Sequence, residues 1–529
     1  MSRMNKFLLL VAAAVMAAMD VNAQTNQFTS LDEGLIRRRS CRVGTPNPHF
    51  EPRRSPMLQN DENPYIGDRH QLVVMAAFQD RPFAEAPDSA LTTWDRIFNA
   101  ENFTEDQYVG SVRDYFSAQS YGQFNLKFDL MFVELPDNAK KYRSTSSHDE
   151  YSQYMVDDIV DVLQTQDIDW SLYDWDGDAF VDQLLIIYAG EGMNATSQPS
   201  TIWPHQWWLS QHLDLETTDP NDYRSCRTIT RDDKEYYIDC YCCVQERVNY
   251  GGIKTSFGTI CHEYSHCFGF PDFYYGDGTG VVDEWDLMDS GCYMEHGYRP
   301  CGYSAHERML MGWLTPVELT EEACITDMSA LCDEPQVYLV RNDGAENEFY
   351  LIENRQKLGW DEQLPGSGIL VFHVDYDPET WTSGVPNSSY EKRYSIIPAN
   401  NKTSMSAKAG WAYPYITVDS LGMDVIANDE LTNTSKPAAK LNHTNVDGTK
   451  LMSKPITQMS VNADGLASFV FMDSTVMSIR ELSTNEAEAQ GNPRGIPDVG
   501  WYLLDGHRLN GIPTTPGLYI HQGKKVFIP

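Results

Sequence analysis

The amino-acid sequence predicts a mixed α/β (α+β) domain, an all-β sandwich domain and a small C-terminal β module, in that order. Apolar runs of strand length alternate with amphipathic helical segments in the first part of the chain. Beyond about Leu319 the pattern changes to short strand-like runs separated by Gly, Pro and Asn turns. Apolar residues make up 41% of the 529 residues, which indicates folded cores rather than disorder.

The first domain is predicted over residues 68–318. It opens with a continuous apolar run, Leu72–Phe78, that has the length and character of a buried strand. The segments that follow alternate in type: a helix over Tyr108–Gln119, a strand over Phe124–Val133, a helix over Tyr151–Gln164 and a strand over Gln183–Ala189. This alternation favours an α/β domain.

The β-sandwich is predicted over residues 319–476, and a polar linker over 477–499 separates it from the module at 500–529. The strand-like runs of the sandwich are Gln336–Val340, Phe349–Glu353 and Gly368–Val374. The closing module, with short runs beside Gly506 and Gly517, resembles the C-terminal sorting modules of secreted bacterial proteins. That resemblance implies a partner in a secretion or sorting machinery, and a plain β-hairpin is the alternative.

The N-terminus has the pattern of an export signal over residues 1–23. Positive charge precedes an apolar run, Phe7–Met19, and small residues precede Gln24, so cleavage is expected after Ala23. Residues 24–67 are polar and irregular and are predicted to be a pro-segment. The apolar run is too short to span a bilayer, and no later stretch of about 18 apolar residues follows. We therefore expect a secreted or cell-surface protein with no transmembrane segment.

The charge of the chain narrows the possible partners. The formal net charge is −36, and such an acidic surface repels nucleic acid and anionic membranes. Acidic excess favours solubility outside the cell and the binding of divalent cations.

Eleven cysteines are many for a reducing compartment, and ten of them fall between Cys226 and Cys332. This clustering predicts disulfides in one region after export, with a connectivity that the sequence leaves open. The remaining cysteine, Cys41, lies in the predicted pro-segment.

The central motif is His262-Glu263-Tyr264-Ser265-His266. Histidines at positions i and i+4 share one face of a helix and can hold one zinc ion, while the glutamate between them lies beside the open coordination position. Zinc with three protein ligands lowers the pKa of a water to about 7, and a nearby carboxylate can take its proton. The motif predicts metal-assisted hydrolysis, with Glu263 as the general base.

The residues after the motif extend it to HEYSHCFGFPD. Gly269 can end the helix in a left-handed turn, and Asp272, six residues after His266, can return a carboxylate to the metal. This spacing resembles that of the metzincin peptidases, in which the third ligand is usually a histidine. Met288, in the segment WDLMDSG, is then the candidate for the methionine turn under the metal.

Other assignments of the third ligand stay open at this stage. His296 and His306 compete with Asp272, whose Pro-Asp context also suits an ordinary turn. A glutamate on a downstream helix, Glu295 or Glu307, is the thermolysin-type alternative.

These and further residues resemble the immune inhibitor A family of bacterial metalloproteases over roughly residues 71–470. The matching stretches are VRDYF with SYGQ at 112–123, residues 174–190, IWPH at 202–205, SAHE with GWL at 304–314, ENRQ at 353–356 and FHVD at 372–375. The resemblance implies a metzincin-like catalytic domain followed by a β-sandwich, endoproteolysis of protein or peptide substrates, and zinc accompanied by structural calcium. Cys261 and Cys267 depart from the family pattern and are expected to join local disulfides that brace the zinc helix.

A second candidate cation site is an acidic loop that contains Asp174, Asp176, Asp178 and Asp182. These carboxylates occupy loop positions one, three, five and nine, as an oxygen-only calcium site requires. Position twelve is Leu185 and not the bidentate glutamate of an EF-hand, so a solvated acidic turn is the alternative.

Two further roles are predicted. Tyr293 or Tyr298, which follow the presumed methionine turn, is a candidate for stabilising the oxyanion. Cys41 is a candidate latency switch, because a thiolate can occupy the open position of zinc; a free or intermolecularly paired thiol is the alternative.

The main alternative from another class is an adhesin or binding module that carries a vestigial zinc domain. The intact Glu263 argues against it, since a decayed peptidase would lose its base.

Overall fold

The computed structural model describes residues 63–143, 151–196, 201–214, 223–248, 255–275, 278–382, 386–387 and 392–473, together with four short strands near the C-terminus. The predicted signal peptide, most of the predicted pro-segment with Cys41, and the predicted linker lie outside the described residues.

The α-helices, in chain order, are α1 Pro87–Asn99, α2 Val112–Gln119, α3 Ser152–Leu163, α4 Met193–Thr196, α5 Phe257–Cys267, α6 Ala305–Leu310 and α7 Pro378–Thr382. The 3-10 segments are Ala139–Lys141, Trp170–Leu172, Leu209–Gln211, Asp283–Trp285, Ser290–Gly297, Gly359–Gln363 and Met405–Gly410.

The strands up to residue 318 are β1 Gly67–Ala77, β2 Phe124–Glu134, β3 Phe180–Val181, β4 Leu184–Glu191, β5 His205–Trp208, β6 Arg227–Arg231, β7 Lys234–Ile238, β8 Cys240–Arg247 and β9 Val317–Glu318. The later strands are β10 Ala323–Met328, β11 Tyr338–Asn342, β12 Ala345–Arg355, β13 Gly368–Asp375, β14 Tyr394–Ile396, β15 Tyr415–Val418, β16 Asp424–Asn428, β17 Ile456–Val461, β18 Ala467–Phe471, β19 Trp501–Tyr502, β20 Arg508–Leu509, β21 Gly517–His521 and β22 Lys524–Ile528.

A five-stranded sheet of order β2-β1-β4-β8-β5 forms the frame of the first domain. Its first four strands are parallel, and β5 pairs antiparallel with β8 at the edge. Strand β4 is buried on both faces, which explains why its sequence is continuously apolar and does not alternate. The predicted mixture of helices and strands is therefore confirmed for this part of the chain.

Two helices differ from the sequence prediction. Helix α2 begins at Val112 and not at Tyr108, because Ser111 and Asp114 form a reciprocal capping box that fixes the first turn. Helix α1 was not predicted, although it buries Trp94, Ile97 and Phe98 along one face.

The second part of the chain contains a five-stranded sheet of order β14-β13-β12-β11-β9 and a three-stranded sheet of order β10-β18-β17. Alternate residues of the larger sheet enter different cores. One face adds Leu339, Leu351, Leu370 and Phe372 to the core of the first domain. The opposite face, with Val340, Ile352, Ile369 and Val371, packs in a second core to which the smaller sheet also contributes.

The larger sheet thus lies between two cores, and the first core crosses the predicted boundary at residues 318 and 319. The sandwich stays a prediction, as do the role and independence of the C-terminal module, whose strands form a sheet of order β20-β19-β21-β22. Within the described residues, no helix has the length and apolar character needed to cross a membrane.

Candidate metal centre

Helix α5 carries the HExxH motif and is buried along its whole length. It packs against β8 and the Ser290–Gly297 segment, and Gly258 permits the closest approach. A Cβ atom on Gly258 would lie 1.9 Å from the carbonyl oxygen of Cys292, so a larger residue would push the two segments apart. The helix ends at Cys267, and Gly269, with a φ of +97°, turns the chain back in a left-handed conformation.

The two histidines are oriented by backbone carbonyls. The Nδ1 atom of His262 lies 2.8 Å from the carbonyl oxygen of Leu287, and the Nδ1 atom of His266 lies 2.7 Å from that of Phe270. A carbonyl oxygen only accepts, so both Nδ1 atoms carry the proton. The Nε2 lone pairs therefore point away from these carbonyls, in the tautomer that a metal ligand requires.

Asp272 joins the two imidazoles. Its Oδ1 atom lies 3.2 Å from Nε2 of His262 and 3.3 Å from Nε2 of His266, and its side chain is 1% exposed. Burial alone would raise the pKa of the Asp272 carboxyl, but the two imidazoles lower it well below its ordinary value. Three electron-rich atoms at such separations repel one another unless a cation or protons lie among them.

The separations fit a zinc ion. Zinc ligands at about 2.0–2.2 Å in a tetrahedral arrangement are about 3.3–3.5 Å from one another. The donors are two nitrogens and one carboxylate oxygen, a set that zinc accepts in catalytic sites. The residues present therefore fit the metal that the motif predicts.

Glu263 lies beside these donors and is 4% exposed. One of its carboxylate oxygens is within 4.8 Å of a nitrogen of each histidine. Its Oε2 atom is buried and accepts no hydrogen bond from any described residue. Burial raises the pKa of the Glu263 carboxyl, and the two imidazoles partly offset this effect. A buried carboxylate oxygen that accepts no hydrogen bond is costly, which favours a functional reason for its presence.

The segment around Met288 packs against the residues proposed to bind the metal. Met288 is fully buried, its backbone N–H donates to Asp286 at 2.9 Å, and its carbonyl accepts the N–H of Phe273 at 2.9 Å. Leu287, the residue before it, supplies the carbonyl that orients His262. This turn therefore holds both the first histidine and the residue that follows Asp272.

The alternative third ligands, His296, Glu295, Glu307 and His306, have other environments. His296 and Glu295 are exposed, and Glu295 pairs with Arg299 at 3.2 Å. Glu307 accepts the backbone N–H of Ser304 at 2.7 Å in the capping box of α6. His306 is buried among aromatic rings, and this burial lowers its pKa to about 3.

The tyrosines proposed for the oxyanion differ in environment. Tyr293 is 45% exposed in the Ser290–Gly297 segment. Tyr298 is buried edge-to-face against Tyr108, with ring centroids 4.9 Å apart. The role of Tyr293 in the reaction stays a prediction.

The predicted disulfides are not found among eight cysteines of the described chain, which carry free thiols: Cys240, Cys242, Cys261, Cys267, Cys292, Cys301, Cys324 and Cys332. Cys261 and Cys267 face different neighbours and do not brace the helix through a bond. Cys267 contacts the thiols of Cys240 and Cys242, and burial raises its pKa well above the ordinary value. All of these thiols except those of Cys324 and Cys332 are buried, where a thiol packs as a small apolar group.

The acidic loop brings three of its four predicted residues together. Carboxylate oxygens of Asp174, Asp176 and Asp178 lie within 4.8 Å of one another. The Oδ1 atom of Asp174 is buried and makes no hydrogen bond to a described residue, and burial raises the pKa of this carboxyl. Asp182 instead accepts the backbone N–H of Trp175 at 2.6 Å, so it braces the loop.

Several residues in or next to the metal centre were not predicted from the sequence. Leu287 and Phe270 act through their backbone carbonyl groups. Every residue has such a group, so the sequence does not show which ones orient the histidines. Asp286 stands two residues before Met288 in the motif WDLMDSG, so its position could have suggested that it accepts a backbone N–H of this turn. Tyr394 and Asn387 come from the far part of the chain, and no local pattern links them to the site.

One family of metallopeptidases matches the part of the chain that contains this site. Residues 92–312 match the family described as immune inhibitor A peptidase M6, catalytic domain. The match confirms the resemblance over residues 92–312. No curated protein sequence matches the chain.

Proposed function

We propose that the chain is a secreted zinc-dependent endopeptidase. His262, His266 and Asp272 hold the metal, and Glu263 is the general base. The observation that carries the proposal is the position of the Asp272 Oδ1 atom, 3.2 and 3.3 Å from the Nε2 atoms of the two histidines. A buried carboxylate lies beside them, and the segment matches a peptidase M6 catalytic domain. Protein substrates follow from the family, and export follows from the pattern of residues 1–23.

The chemistry divides between the metal and the chain. A bound zinc ion supplies Lewis acidity, which lowers the pKa of water and polarises a peptide carbonyl. Glu263 accepts the proton of the attacking water at its carboxylate and later delivers that proton to the leaving amine. The carbonyls of Leu287 and Phe270 keep both imidazoles in one tautomer throughout.

The first test compares the full processed chain with its Glu263→Gln variant on a denatured protein substrate, with bound metal measured on the same samples. Removing the base is expected to lower the cleavage rate by about 10²–10⁴-fold while zinc stays at one equivalent. The matched control is Glu295→Gln, which neutralises an exposed glutamate 32 positions along the chain and should keep full activity. Equal cleavage by wild type and Glu263→Gln would contradict the role of Glu263, and no cleavage by either protein would favour a binding module.

The third ligand is tested separately. Asp272→Ala is expected to lose zinc, because only two imidazoles remain to hold it. His296→Gln, at the exposed alternative position, is expected to keep zinc at one equivalent. Zinc loss in His296→Gln and zinc retention in Asp272→Ala would indicate that His296, and not Asp272, is the third ligand.

We further propose that Asp174, Asp176 and Asp178 bind calcium. Three crowded carboxylates, one with a buried oxygen that lacks a hydrogen bond from the described residues, favour a hard divalent cation with oxygen ligands.

Cys41 as a latency switch is a separate proposal. Cys41→Ala should give a precursor that cleaves substrate without processing, and an equally latent variant would contradict it.

A further inference from the structure

Two side chains from beyond residue 318 lie against the turn that carries Asp272. The ring of Tyr394, on β14, stacks on Phe273 with centroids 3.9 Å apart and planes at 25°. Phe273 directly follows Asp272, so this contact fixes the backbone beside the proposed third ligand. Tyr394 is fully buried.

Asn387 ties the same backbone to β14. Its side-chain N–H₂ donates to the carbonyl of Phe273 at 2.7 Å and to that of Tyr394 at 2.8 Å. Its Oδ1 atom accepts the backbone N–H groups of Arg393 and Tyr394, each at 2.9 Å. The amide therefore uses both donors and both lone pairs of its oxygen within these two segments.

The hydroxyl of Tyr394 reaches the other side of the site. It donates to the Oδ2 atom of Asp286 at 2.8 Å, and the hydroxyl of Ser304 lies 2.8 Å from it on the other side. The Oδ1 atom of Asp286 in turn accepts the N–H of Met288. One residue thus contacts both the segment after Asp272 and the turn whose Leu287 carbonyl orients His262.

We propose that Tyr394 and Asn387 are positioning residues for the metal centre, and that the second part of the chain is needed to hold zinc tightly. The inference rests on the proposed ligands. Residues that orient metal ligands through hydrogen bonds typically change metal affinity by about 10–100-fold when they are replaced. Neither side chain touches substrate or metal; each acts through the backbone of Phe273 or through Asp286.

The test uses the full processed chain and its Tyr394→Phe variant. This substitution keeps the ring on Phe273 and removes only the hydroxyl. The matched control is Tyr350→Phe, which removes the hydroxyl of another fully buried tyrosine in the same sheet, one that donates to the carbonyl of Lys440 at 2.6 Å. A second variant, Asn387→Asp, removes two N–H donors without a change of size.

Three quantities are measured: the rate at which a chelator removes zinc, the visible spectrum of the cobalt-substituted protein, and the melting temperature. Tyr394→Phe and Asn387→Asp are expected to lose zinc about 10-fold faster or more and to change the cobalt spectrum. Tyr350→Phe is expected to melt lower and to match wild type in both metal measurements.

Two outcomes would overturn the inference. Zinc loss at the wild-type rate in both Tyr394→Phe and Asn387→Asp, with an unchanged cobalt spectrum, would leave these residues as ordinary core contacts while the proposed function stands. A wild-type chain that takes up neither zinc nor cobalt would refute the proposed function itself, and the inference with it.

Discussion

The two candidate cation sites hold their ligands in different ways. In the metal centre the decisive contacts come from distant segments, since His262 is oriented by Leu287 and the residue after Asp272 is held by Asn387 and Tyr394. In the acidic loop the carboxylates accept backbone N–H groups from two to five positions further along the chain. One site is built by tertiary structure and the other by local turns.

The difference predicts different consequences when a cation is lost. The metal centre is buried and its donors are fixed from outside the helix, so its geometry should survive metal removal while the chemistry is lost. The acidic loop is only partly buried and crowds like charges, so its order should depend on the cation.

Removal of one ligand from each site gives the largest contrast. His266→Ala is expected to reduce cleavage to the level of chelator-treated wild type, because the metal is no longer held by three ligands. Asp178→Asn in the acidic loop should keep most of the activity when calcium is in excess. Cleavage assays and metal analysis on both variants check this. A similar loss of activity in the two variants would contradict the proposed difference between the two sites.

Calcium depletion should affect stability more than chemistry. A cation present at about 100 times its Kd stabilises the folded chain by about 2.7 kcal/mol, which corresponds to a rise of a few degrees in Tm. The double variant Asp174→Asn with Asp176→Asn should show no such rise, and without calcium it should melt no lower than wild type, since like charges are removed.

The control for calcium depletion is the pair Asp232→Asn with Asp233→Asn, which removes two charges from the exposed turn between β6 and β7. This variant should retain the calcium response. A response that persists in the Asp174 and Asp176 variant would place calcium elsewhere in the chain.

The same contrast explains which residues and strands could be predicted from the sequence. The HExxH motif and the acidic loop are local patterns, so their residues could be proposed from spacing alone. Strand β4 was predicted because its apolar run is continuous. Tyr394 and Asp286 are 108 positions apart in the sequence, and no local pattern encodes their contact. The prediction of disulfides is not supported, because the number of cysteines does not distinguish buried thiols from disulfides.

Asp286, in the turn under the metal centre, should make stability depend on pH. Burial raises its pKa to about 7, although bonds from Met288 and Tyr394 oppose the shift. The unfolded value is about 4, so the folded chain binds this proton more tightly. The resulting contribution to stability is fully present below about pH 4 and is lost as the pH rises through 7.

Asp286→Asn, which stays neutral, should therefore gain stability relative to wild type between pH 5 and pH 8.5. Thermal melts of both proteins across this range measure the change. Asp464→Asn, at an exposed turn, is the control and should follow wild type at every pH. A constant difference between Asp286→Asn and wild type would show that Asp286 does not titrate in this window.

The smallest effect is expected for the side chain of Met288. Its backbone makes the contacts to Asp286 and Phe273, and these survive any substitution that fits the space. Met288→Leu conserves volume, so it should cost less than about 1.5 kcal/mol of stability. Zinc content should stay at one equivalent and cleavage within a few-fold of wild type. A loss of zinc in Met288→Leu would mean that the side chain itself supports the metal, and the metal centre would then depend on local packing as well as on distant segments.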